Sequence, residues 1–313
     1  MKKKLGLFLP EVSSDYNKVS ASIWIRALQM VKHYQKLGFD VRINNPFRLY
    51  DIAIVYRLAT KKNLLLCKAL RKTAKKVYFD SVVNYFVEHS GCNTEQVYYQ
   101  KKIAEVCDGL ICSTENIASY AKRFNSNIHI MDDPIDTEYF HLQKSNINYH
   151  NPIFGWSGVS SKALFLNKYA NIIDNKVVLI CDGKIHNQKI DFNFTYVPWR
   201  YETFSKHLLD CDIAFLPRTY IDDPYNLGHS SFKALVFAIT GIPIIANKLP
   251  SYEKLASLYE SIVFLEENAD DIDSCINKLI AKPAPDITKI RSFYSCENQA
   301  LRLRDFFFNE KTI

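Results

Sequence analysis

Apolar and polar positions along the first half of the chain form short β-rich runs separated by helical stretches. Strands are predicted at residues 4–10, 39–44, 50–57, 76–82, 109–114 and 128–133. Between them, apolar residues recur at helical spacing, as in "SASIWIRALQMVKHYQKLG", where Gly38 ends the helix. Strands that alternate with helices of about 10 to 15 residues predict βαβ units and a parallel sheet.

The same pattern restarts after "HLQKSNINYHNP" (141–152), a polar segment without periodicity that we interpret as a linker. Further strands are predicted at residues 153–158, 176–183, 194–199, 212–218, 243–247 and 261–266, and a last amphipathic helix at 295–308. We therefore predict an α/β chain of two tandem doubly wound, Rossmann-like parallel-sheet domains, residues 1–145 and 151–288, that face a cleft. Ligands of such sheets bind at the carboxyl ends of the strands, so the motifs are sought there.

Length and composition agree with two folded domains. The chain has 313 residues, and its 48% hydrophobic and 13% aromatic residues suffice for two buried cores. No apolar run approaches the roughly 18 residues of a membrane span. The start "MKKKLGLFLP" imitates a signal peptide, but its apolar part is too short, and we predict a first strand there.

The cysteines indicate a reducing compartment. The eight cysteines are scattered without a CxxC pair, and several lie in apolar runs, such as Cys112 in "GLICST". We interpret them as reduced, mostly buried thiols of a cytosolic protein rather than as a disulfide framework or a zinc site. The eight histidines likewise lack metal-ligand spacing.

The positive charge is confined to the first half. Residues 1–150 contain 22 Lys and Arg against 14 Asp and Glu, whereas residues 151–313 contain 18 against 19. This asymmetry indicates that the first half faces an anionic partner. The alternative is a solvated lysine-rich helix, because "KKNLLLCKALRKTAKK" supplies much of the excess.

A loop and helix in the second half combine the features of an anion site, "DPYNLGHSSFKALVFAITGIPIIAN" (223–247). The stretch follows a predicted strand, and a helix is expected to begin near Ser230, where its free N–H groups attract anions. Gly228 would let the backbone approach a ligand, Ser230 or Ser231 would cap the helix, and His229 and Lys233 would add positive charge. These residues favour a phosphate or diphosphate site. An ordinary capped helix with a surface lysine is the alternative.

The same stretch resembles the nucleotide-sugar loop of GT-B-fold glycosyltransferases, especially the retaining, family-four-like enzymes of bacterial surface-polysaccharide synthesis. The matching residues occur in the family's order: Leu216–Pro217, Asn226, Ser230–Ser231, Lys233, Gly241, Pro243 and the run "IIAN". The resemblance implies two facing domains, the acceptor domain first and the nucleotide-sugar domain second, with donor contacts from Asn226, Gly228, His229, Ser230 and Ser231.

Other segments carry a weaker resemblance over nearly the whole chain. "IFGWSGVSSK" resembles the first strand and glycine loop of the nucleotide domain, in which Gly158, Ser160 and Lys162 would contact the diphosphate. "DPID" stands where the family has an Asn-Gly-Val-Asp-like sequence, with Pro134 in place of glycine. The final residues, 289–313, resemble the helix that crosses back to the first domain.

The chain departs from the family pattern at one important position. The family usually has a glutamate three residues after the lysine, which holds the donor's ribose hydroxyls, and this chain has Val236 there. Valine cannot accept hydrogen bonds, and an unpaired ribose hydroxyl would cost about 1–3 kcal/mol. Either another group such as Asp222 or Asp223 takes over, or the donor differs, or donor binding is lost.

Further site candidates lie near predicted strand ends. Arg218 follows the strand at 212–218 and is expected at the donor, although a surface ion pair is the alternative. Trp156 and Trp199 could stack on a base or sugar, but core packing is the more common role of such residues. Candidates in the first domain are Ser20, Arg26, Arg57, Asp80 and Asn84. Asp80, the only acid among them, is the candidate acceptor-side base.

The sequence thus predicts a GT-B glycosyltransferase that moves a sugar from a nucleotide-sugar donor to a hydroxyl of a glycan or lipid-linked acceptor. Lys233, Asp80 and Arg57 are the candidate catalytic residues. No Asp-x-Asp motif stands where it could bridge a metal and a diphosphate, so neither a metal nor a cofactor is expected. The resemblance implies retention of anomeric configuration and a cytoplasmic protein at the inner membrane face, where its basic half would meet anionic lipid.

Three alternatives stay open at this point. A pseudo-glycosyltransferase partner subunit without donor binding would fit Val236. A DNA-modifying glycosyltransferase of phage type would fit the basic half, although nucleic acid is not the expected partner. A nucleotide-sugar epimerase shares the architecture.

Overall fold

A computed structural model describes residues 2–89, 91–174, 176–218, 222–266 and 272–308. The chain divides into two compact units: unit 1 holds residues 1–136, 222–230 and 293–313, and unit 2 holds residues 137–221 and 231–292. The units differ from the predicted domains in two respects. Unit 2 begins before the segment interpreted as a linker, and residues 222–230, expected in the second domain, belong to unit 1.

Unit 1 is built on a six-stranded parallel sheet with the order β2-β1-β3-β4-β5-β6. The strands are β1 (Lys3–Phe8), β2 (Phe39–Ile43), β3 (Tyr50–Tyr56), β4 (Ala74–Ser81), β5 (Gly109–Cys112) and β6 (Ile128–Ile130). Parallel pairing runs throughout, for example Leu5 with both Val41 and Ile52. All six predicted strands are confirmed to within about two residues, the usual spread of boundary definitions, except that β6 ends three residues early.

The helices of unit 1 occupy the predicted intervals, except that the helix at 224–227 lies in a segment predicted as a loop. They are α1 (Ala21–Ile23), α2 (Val31–Lys36), α3 (Lys61–Leu70), α4 (Thr94–Val106), α5 (Glu115–Ala121), α8 (Pro224–Leu227) and α13 (Cys296–Phe308). The helix predicted over 20–38 is interrupted between α1 and α2 by a π-helical turn, Trp24–Leu28. Caps fix several starts: Thr60 accepts from Asn63 N–H, and Asn93 forms a capping box with Gln96.

Unit 2 is built on a second six-stranded parallel sheet with the order β12-β11-β10-β7-β8-β9. Its strands are β7 (Phe154–Gly158), β8 (Val177–Cys181), β9 (Thr195–Pro198), β10 (Ile213–Leu216), β11 (Ile244–Ala246) and β12 (Ile262–Phe264). Counted within the unit, this is the 3-2-1-4-5-6 order of dinucleotide-binding folds. The two sheets confirm the predicted α/β class.

The helices of unit 2 are α6 (Ala170–Ile173), α7 (Tyr201–His207), α9 (Phe232–Ala238), α10 (Pro250–Ala256), α11 (Ile272–Ile280) and α12 (Thr288–Tyr294). The last two residues of α12 belong to unit 1. The helix predicted after β7 is instead mostly a 3-10 helix, Ser160–Tyr169. The part of the helix predicted at 269–271 lies outside the described residues.

The segment interpreted as a linker packs along unit 2. Lys144 donates its backbone N–H to Thr240 O and its ammonium to Leu209 O, and it pairs with Asp212 at 3.1 Å. Asp212 also accepts from the Asn148 and Ile153 amides. These bonds hold residues 144–153 against unit 2. The segment is therefore a packed part of the unit, although its sequence lacks the periodicity of a helix or a strand.

Both units have apolar cores in which the cysteines take part. All eight thiols are free, seven are buried and Cys92 is half-buried, as predicted. Burial raises the pKa of Cys112 and of Cys181 to about 12, since a thiolate is disfavoured there. Among the described residues, no helix is both long and apolar enough to cross a membrane.

Candidate functional site

The strand order of unit 2 contains a switch point, where the chain reverses direction across the sheet. From β7 the chain continues to β8 and β9 on one side, then returns to β10 on the other side of β7. In open parallel sheets, ligands bind outside the carboxyl ends of the two strands at such a switch point. The residues that follow β7 and β10 are therefore the first to consider.

Gly158 ends β7 and shapes this corner. Its φ is 151°, a value that side chains rarely adopt. A Cβ atom there would lie 2.7 Å from Lys233 Nζ and 3.1 Å from the Trp156 ring. The glycine thus leaves the space that the lysine head occupies.

Lys233 reaches the carboxyl end of β7 from the first turn of α9. It is half-buried, and its ammonium lies 4.1 Å from the centre of the Trp156 ring. Burial depresses the pKa of Lys233 well below its usual range, and the cations of Arg218 and Lys162 depress it further. A lysine in these surroundings gains most from an anionic ligand.

Arg218 and Lys162 complete the cationic cluster, which we define as Lys162, Arg218 and Lys233. Arg218 lies two residues after β10. Its backbone N–H donates to Oδ1 of Asn247, and Asn247 directly follows β11. Lys162 lies in the 3-10 helix that follows β7, and both side chains are half-buried. Three of the predicted donor contacts, Gly158, Lys162 and Arg218, are thus brought together with Lys233.

Ser160, a fourth predicted donor contact, is already bound within unit 2. Its backbone N–H and its hydroxyl donate to the two oxygens of Asp182, at 3.0 and 2.9 Å, and Ser160 is buried. Burial would raise the pKa of Asp182, but bonds from Ser160 and the Lys184 amide outweigh it and lower that pKa. Sequence reasoning missed Asp182, although its place directly after the apolar run "VVLIC" was a usable signal.

Four other predicted donor contacts lie in unit 1, because residues 222–230 pack there. Ser230 donates its hydroxyl to Asp133 at 2.6 Å, and the Gly228 carbonyl accepts from the Thr114 hydroxyl at 3.3 Å. His229 contacts the Tyr225 ring edge-on. Asn226 is buried in the short helix α8.

The start of α9 differs from the prediction. The helix begins at Phe232, and its N-cap residue, Ser231, makes no side-chain capping bond. The Ser230 hydroxyl is committed to Asp133 instead. With only seven residues, α9 offers a weak helix dipole, so the positive field at this corner comes mainly from the cationic cluster.

A buried arginine organises the carboxyl edge of the unit 1 sheet. Arg26, on the π-helical turn, is 0% exposed and binds both Asp80 oxygens through Nε and Nη2, at 2.7–3.2 Å. Its Nη1 donates to Asp133 and to Met131 O at 2.7 and 2.8 Å. Burial disfavours the guanidinium charge, but the two carboxylates outweigh this and raise the pKa of Arg26. Asp80 is thus a buried ion-pair partner, and its role as an acceptor-side base stays a prediction.

Arg57 marks the switch point of unit 1, between β1 and β3. It directly follows β3 with a φ of 57°, unusual for a residue with a side chain. Its Nη1 donates to Ser20 Oγ at 3.1 Å and to Ser22 Oγ at 2.5 Å. Glu11, in the loop after β1, accepts from the Ser20 amide at 2.6 Å and was not singled out from the sequence.

The remaining candidates are structural in their observed contacts. Val236 is fully buried in α9, and Trp156 is 1% exposed in the core of unit 2. Asp223 accepts from the Tyr225 amide at 2.8 Å and caps α8. Asn84 is buried and accepts from the Phe86 amide. Trp199 is half-buried and packs near Phe204. Within the described ranges, no cluster of three His, Cys, Asp or Glu side chains could hold a metal ion.

Comparison with known proteins identifies the fold. No family model matches the chain, and neither does any curated protein sequence. Solved structures do. Sucrose-phosphate synthase from Thermosynechococcus elongatus superposes with a TM-score of 0.71 at 13% identity, covering 98% of this chain and 99% of that one.

Two further structures widen the comparison. HepE from Anabaena, in complex with UDP and glucose, gives a TM-score of 0.68 at 12% identity over 98% of this chain and 100% of that chain. The UDP-GlcNAc 2-epimerase of Methanocaldococcus jannaschii gives 0.56 at 11% identity over 97% and 99%. Sucrose-phosphate synthase and HepE are GT-B glycosyltransferases. Together with the two parallel sheets, these likenesses establish the GT-B fold for this chain.

Proposed function

We propose that this protein is a glycosyltransferase that binds the diphosphate of a nucleotide-sugar donor at the carboxyl end of β7 in unit 2. The observation that carries the proposal is the cationic cluster beside Gly158. Three basic side chains converge at the sheet's switch point, and burial, followed by repulsion from Arg218 and Lys162, lowers the pKa of Lys233. Such convergence favours the binding of an anion.

The chemistry of transfer suits this arrangement. When the bond between the sugar and the diphosphate breaks, negative charge develops on the leaving phosphate oxygen. Lys233, Arg218 and Lys162 would stabilise that charge, and Gly158 would let the phosphate approach the backbone. The acceptor oxygen forms the new glycosidic bond as the bond to the diphosphate breaks, and the hydroxyl proton passes to the departing diphosphate, which leaves as the free nucleotide.

Likenesses to solved structures support the donor class. HepE is in complex with UDP and glucose, and its structure covers this chain almost completely. At 12% identity this supports a nucleotide-sugar donor without specifying the base or the sugar. Retention of configuration, independence of metal and transfer of a hexosyl group belong to the same proposal.

On the acceptor side, we propose that Arg57, Ser20 and Ser22 contact the acceptor at the switch point of unit 1. The arginine is half-buried and held by hydroxyl groups, so it can still bind polar groups of a glycan. The acceptor would belong to bacterial surface-polysaccharide synthesis. The basic half, with Phe47 97% and Leu49 68% exposed beside Arg48, would meet an anionic membrane surface from the cytoplasm.

One observation favours a second candidate, a partner subunit that no longer binds a donor. Val236 stands where a ribose-binding glutamate is expected, and it is buried in the core. Isothermal titration with UDP, GDP, ADP and CMP separates the two candidates. The enzyme binds at least one of them with micromolar affinity, whereas the partner subunit binds none.

Incubation with a donor alone separates a transferase from an epimerase. A transferase leaves the sugar configuration of the intact donor unchanged, and it releases nucleoside diphosphate when an acceptor is added. Isomerised nucleotide sugar in the proton NMR spectrum, without any acceptor, would show epimerisation instead. Addition of EDTA is expected to leave transfer unchanged.

A further inference from the structure

The position of the Lys233 ammonium is fixed by two residues of β7. Trp156 and Gly158 are two apart in the strand, so they point to the same side of the sheet. The Trp156 ring lies 4.1 Å below Nζ, and the missing Cβ of Gly158 leaves room for Nζ and Cε. The tryptophan is 1% exposed and so cannot stack on a base or sugar without leaving the core.

The Trp156 ring attracts the Lys233 ammonium, as an anion would. The described charged groups that act on Lys233 are Arg218 and Lys162, both cations, from the segments after β10 and β7. A cation over an indole face is attracted by the negative quadrupole of the ring. This attraction holds the lysine head at the strand end despite the repulsion of its neighbours.

We propose that Trp156 is a positioning residue, which holds Lys233 over the carboxyl end of β7 so that its ammonium meets the donor diphosphate. The inference rests on the proposed function, because it assumes that a diphosphate binds there. It gives Trp156, which the sequence indicated only as a stacking candidate, a role in which the side chain does not itself touch the ligand.

The proposal has a consequence for protons. Burial and the two neighbouring cations lower the pKa of Lys233. A bound diphosphate raises that pKa because it stabilises the ammonium, so at a pH between the pKa values of the free and the bound protein Lys233 takes up a proton from solvent at Nζ. Binding should therefore be accompanied by proton uptake and should weaken as pH rises.

Isothermal titration of UDP, GDP and ADP into the full chain, in two buffers of different ionisation enthalpy between pH 6.5 and 9, tests both points. The wild type should take up a fraction of a proton with the best ligand. Trp156→Leu should weaken that affinity by about two- to thirty-fold, the range of a cation–π contact. Trp156→Phe, which keeps an aromatic face, should lie between them.

Several comparisons separate positioning from a general structural role. Phe154→Leu removes a buried ring from the start of the same strand and should leave affinity and proton uptake unchanged. Gly158→Ala, whose Cβ would displace Nζ, should weaken binding as Trp156→Leu does. If Trp156→Leu does not fold, the affinities of Trp156→Phe and Gly158→Ala still test the positioning role.

The outcomes are distinct. If the wild type binds no nucleoside diphosphate, the proposed function fails. If the wild type binds and Lys233→Ala weakens binding, but the Trp156 variants bind with unchanged affinity, pH dependence and proton uptake, the positioning role is overturned while the function stands.

Discussion

Hydrogen bonds to the buried Asp133 hold residues 222–230 in unit 1. Asp133 accepts from Arg26 through one oxygen and from Ser230 through the other. The arginine thereby connects β4, the segment after β6 and the chain that leads into α9. The buried charge of Arg26 is tolerated because Asp80 and Asp133 both pair with it.

Replacement of Arg26 by methionine should destabilise the protein by about 3–5 kcal/mol, because it leaves Asp80 and Asp133 buried without their cation. Urea unfolding measures this loss. As a matched control, Arg71→Met removes a partly exposed ion pair with Asp108 and should cost about 0–1 kcal/mol. Equal costs for the two variants would contradict a central role of the buried cluster.

His129 should make stability depend on pH. Burial first, and then Arg26 and Arg302, lower the pKa of His129 to about 4 from an ordinary value of 6.5. The unfolded chain therefore binds a proton between pH 6.5 and 4 that the native state does not, and stability is lost as pH falls through this window. One pKa unit corresponds to about 1.4 kcal/mol, so the loss by pH 4 is on the order of 3 kcal/mol.

His129→Phe, which keeps a ring against Phe306, should flatten this part of the stability profile. Urea unfolding between pH 4 and 7 compares the two proteins, and carboxylate titration contributes equally to both. The exposed His141→Gln is the control and should follow the wild type. If the stability profile of His129→Phe ran parallel to that of the wild type, His129 would have its ordinary pKa in the native state.

Among the elements, α13 seals unit 1 with aromatic residues. The Phe306 and Phe307 rings lie 5.3 and 4.9 Å from Tyr78 on β4, and Phe308 stacks on Phe39 of β2. The helix therefore covers strands that are far apart in sequence. Its sequence predicted an amphipathic helix, and only the resemblance to the family indicated where it would pack.

Phe307→Ala should cost about 3–5 kcal/mol, because it leaves a cavity at a residue that is 1% exposed. Chemical denaturation is the measurement, with the exposed Glu297→Ala on the same helix as the control. A loss below 1 kcal/mol for Phe307→Ala would indicate that α13 does not stabilise unit 1.

The sequence predicted elements better than it predicted their details. Periodicity located the twelve strands of the described residues because β-rich runs between turns are local signals. It missed α8, although Asp223–Pro224 is a helix-start signal, and α12 after the proline-rich stretch. It also missed the π-helical turn that carries Arg26, since apolar periodicity does not distinguish one π-helical turn from the α-helical turns beside it.

At the scale of the whole molecule, the sequence indicated the fold but not how the site residues would be grouped. Gly158, Lys162, Arg218 and Lys233 meet because the strand order brings their segments to one corner of unit 2. Ser160 and Ser230 are instead bound to Asp182 and Asp133, contacts set by tertiary packing. The expected interdomain cleft stays a prediction.

The proposed membrane contact also belongs to the scale of the whole molecule. Phe47 and Leu49 are exposed in the connection between β2 and β3. Phe47→Ser with Leu49→Ser should reduce cosedimentation with vesicles that contain anionic lipid several-fold, because the apolar anchor is lost. Leu65→Ser, on the exposed face of α3, is the control for general hydrophobicity. Equal cosedimentation of wild type and double variant would contradict this surface.

The most direct test of the central claim is a thermal-shift series with UDP, GDP, ADP and CMP on the wild type and on Lys233→Ala. A ligand that binds only the native state raises the melting temperature by an amount that increases with its concentration and its affinity. We expect at least one nucleotide to stabilise the wild type by several degrees. Lys233→Ala should melt near the wild-type temperature without ligand and show no shift with it. An equal shift in both proteins would remove the cationic cluster from the donor site and contradict the account.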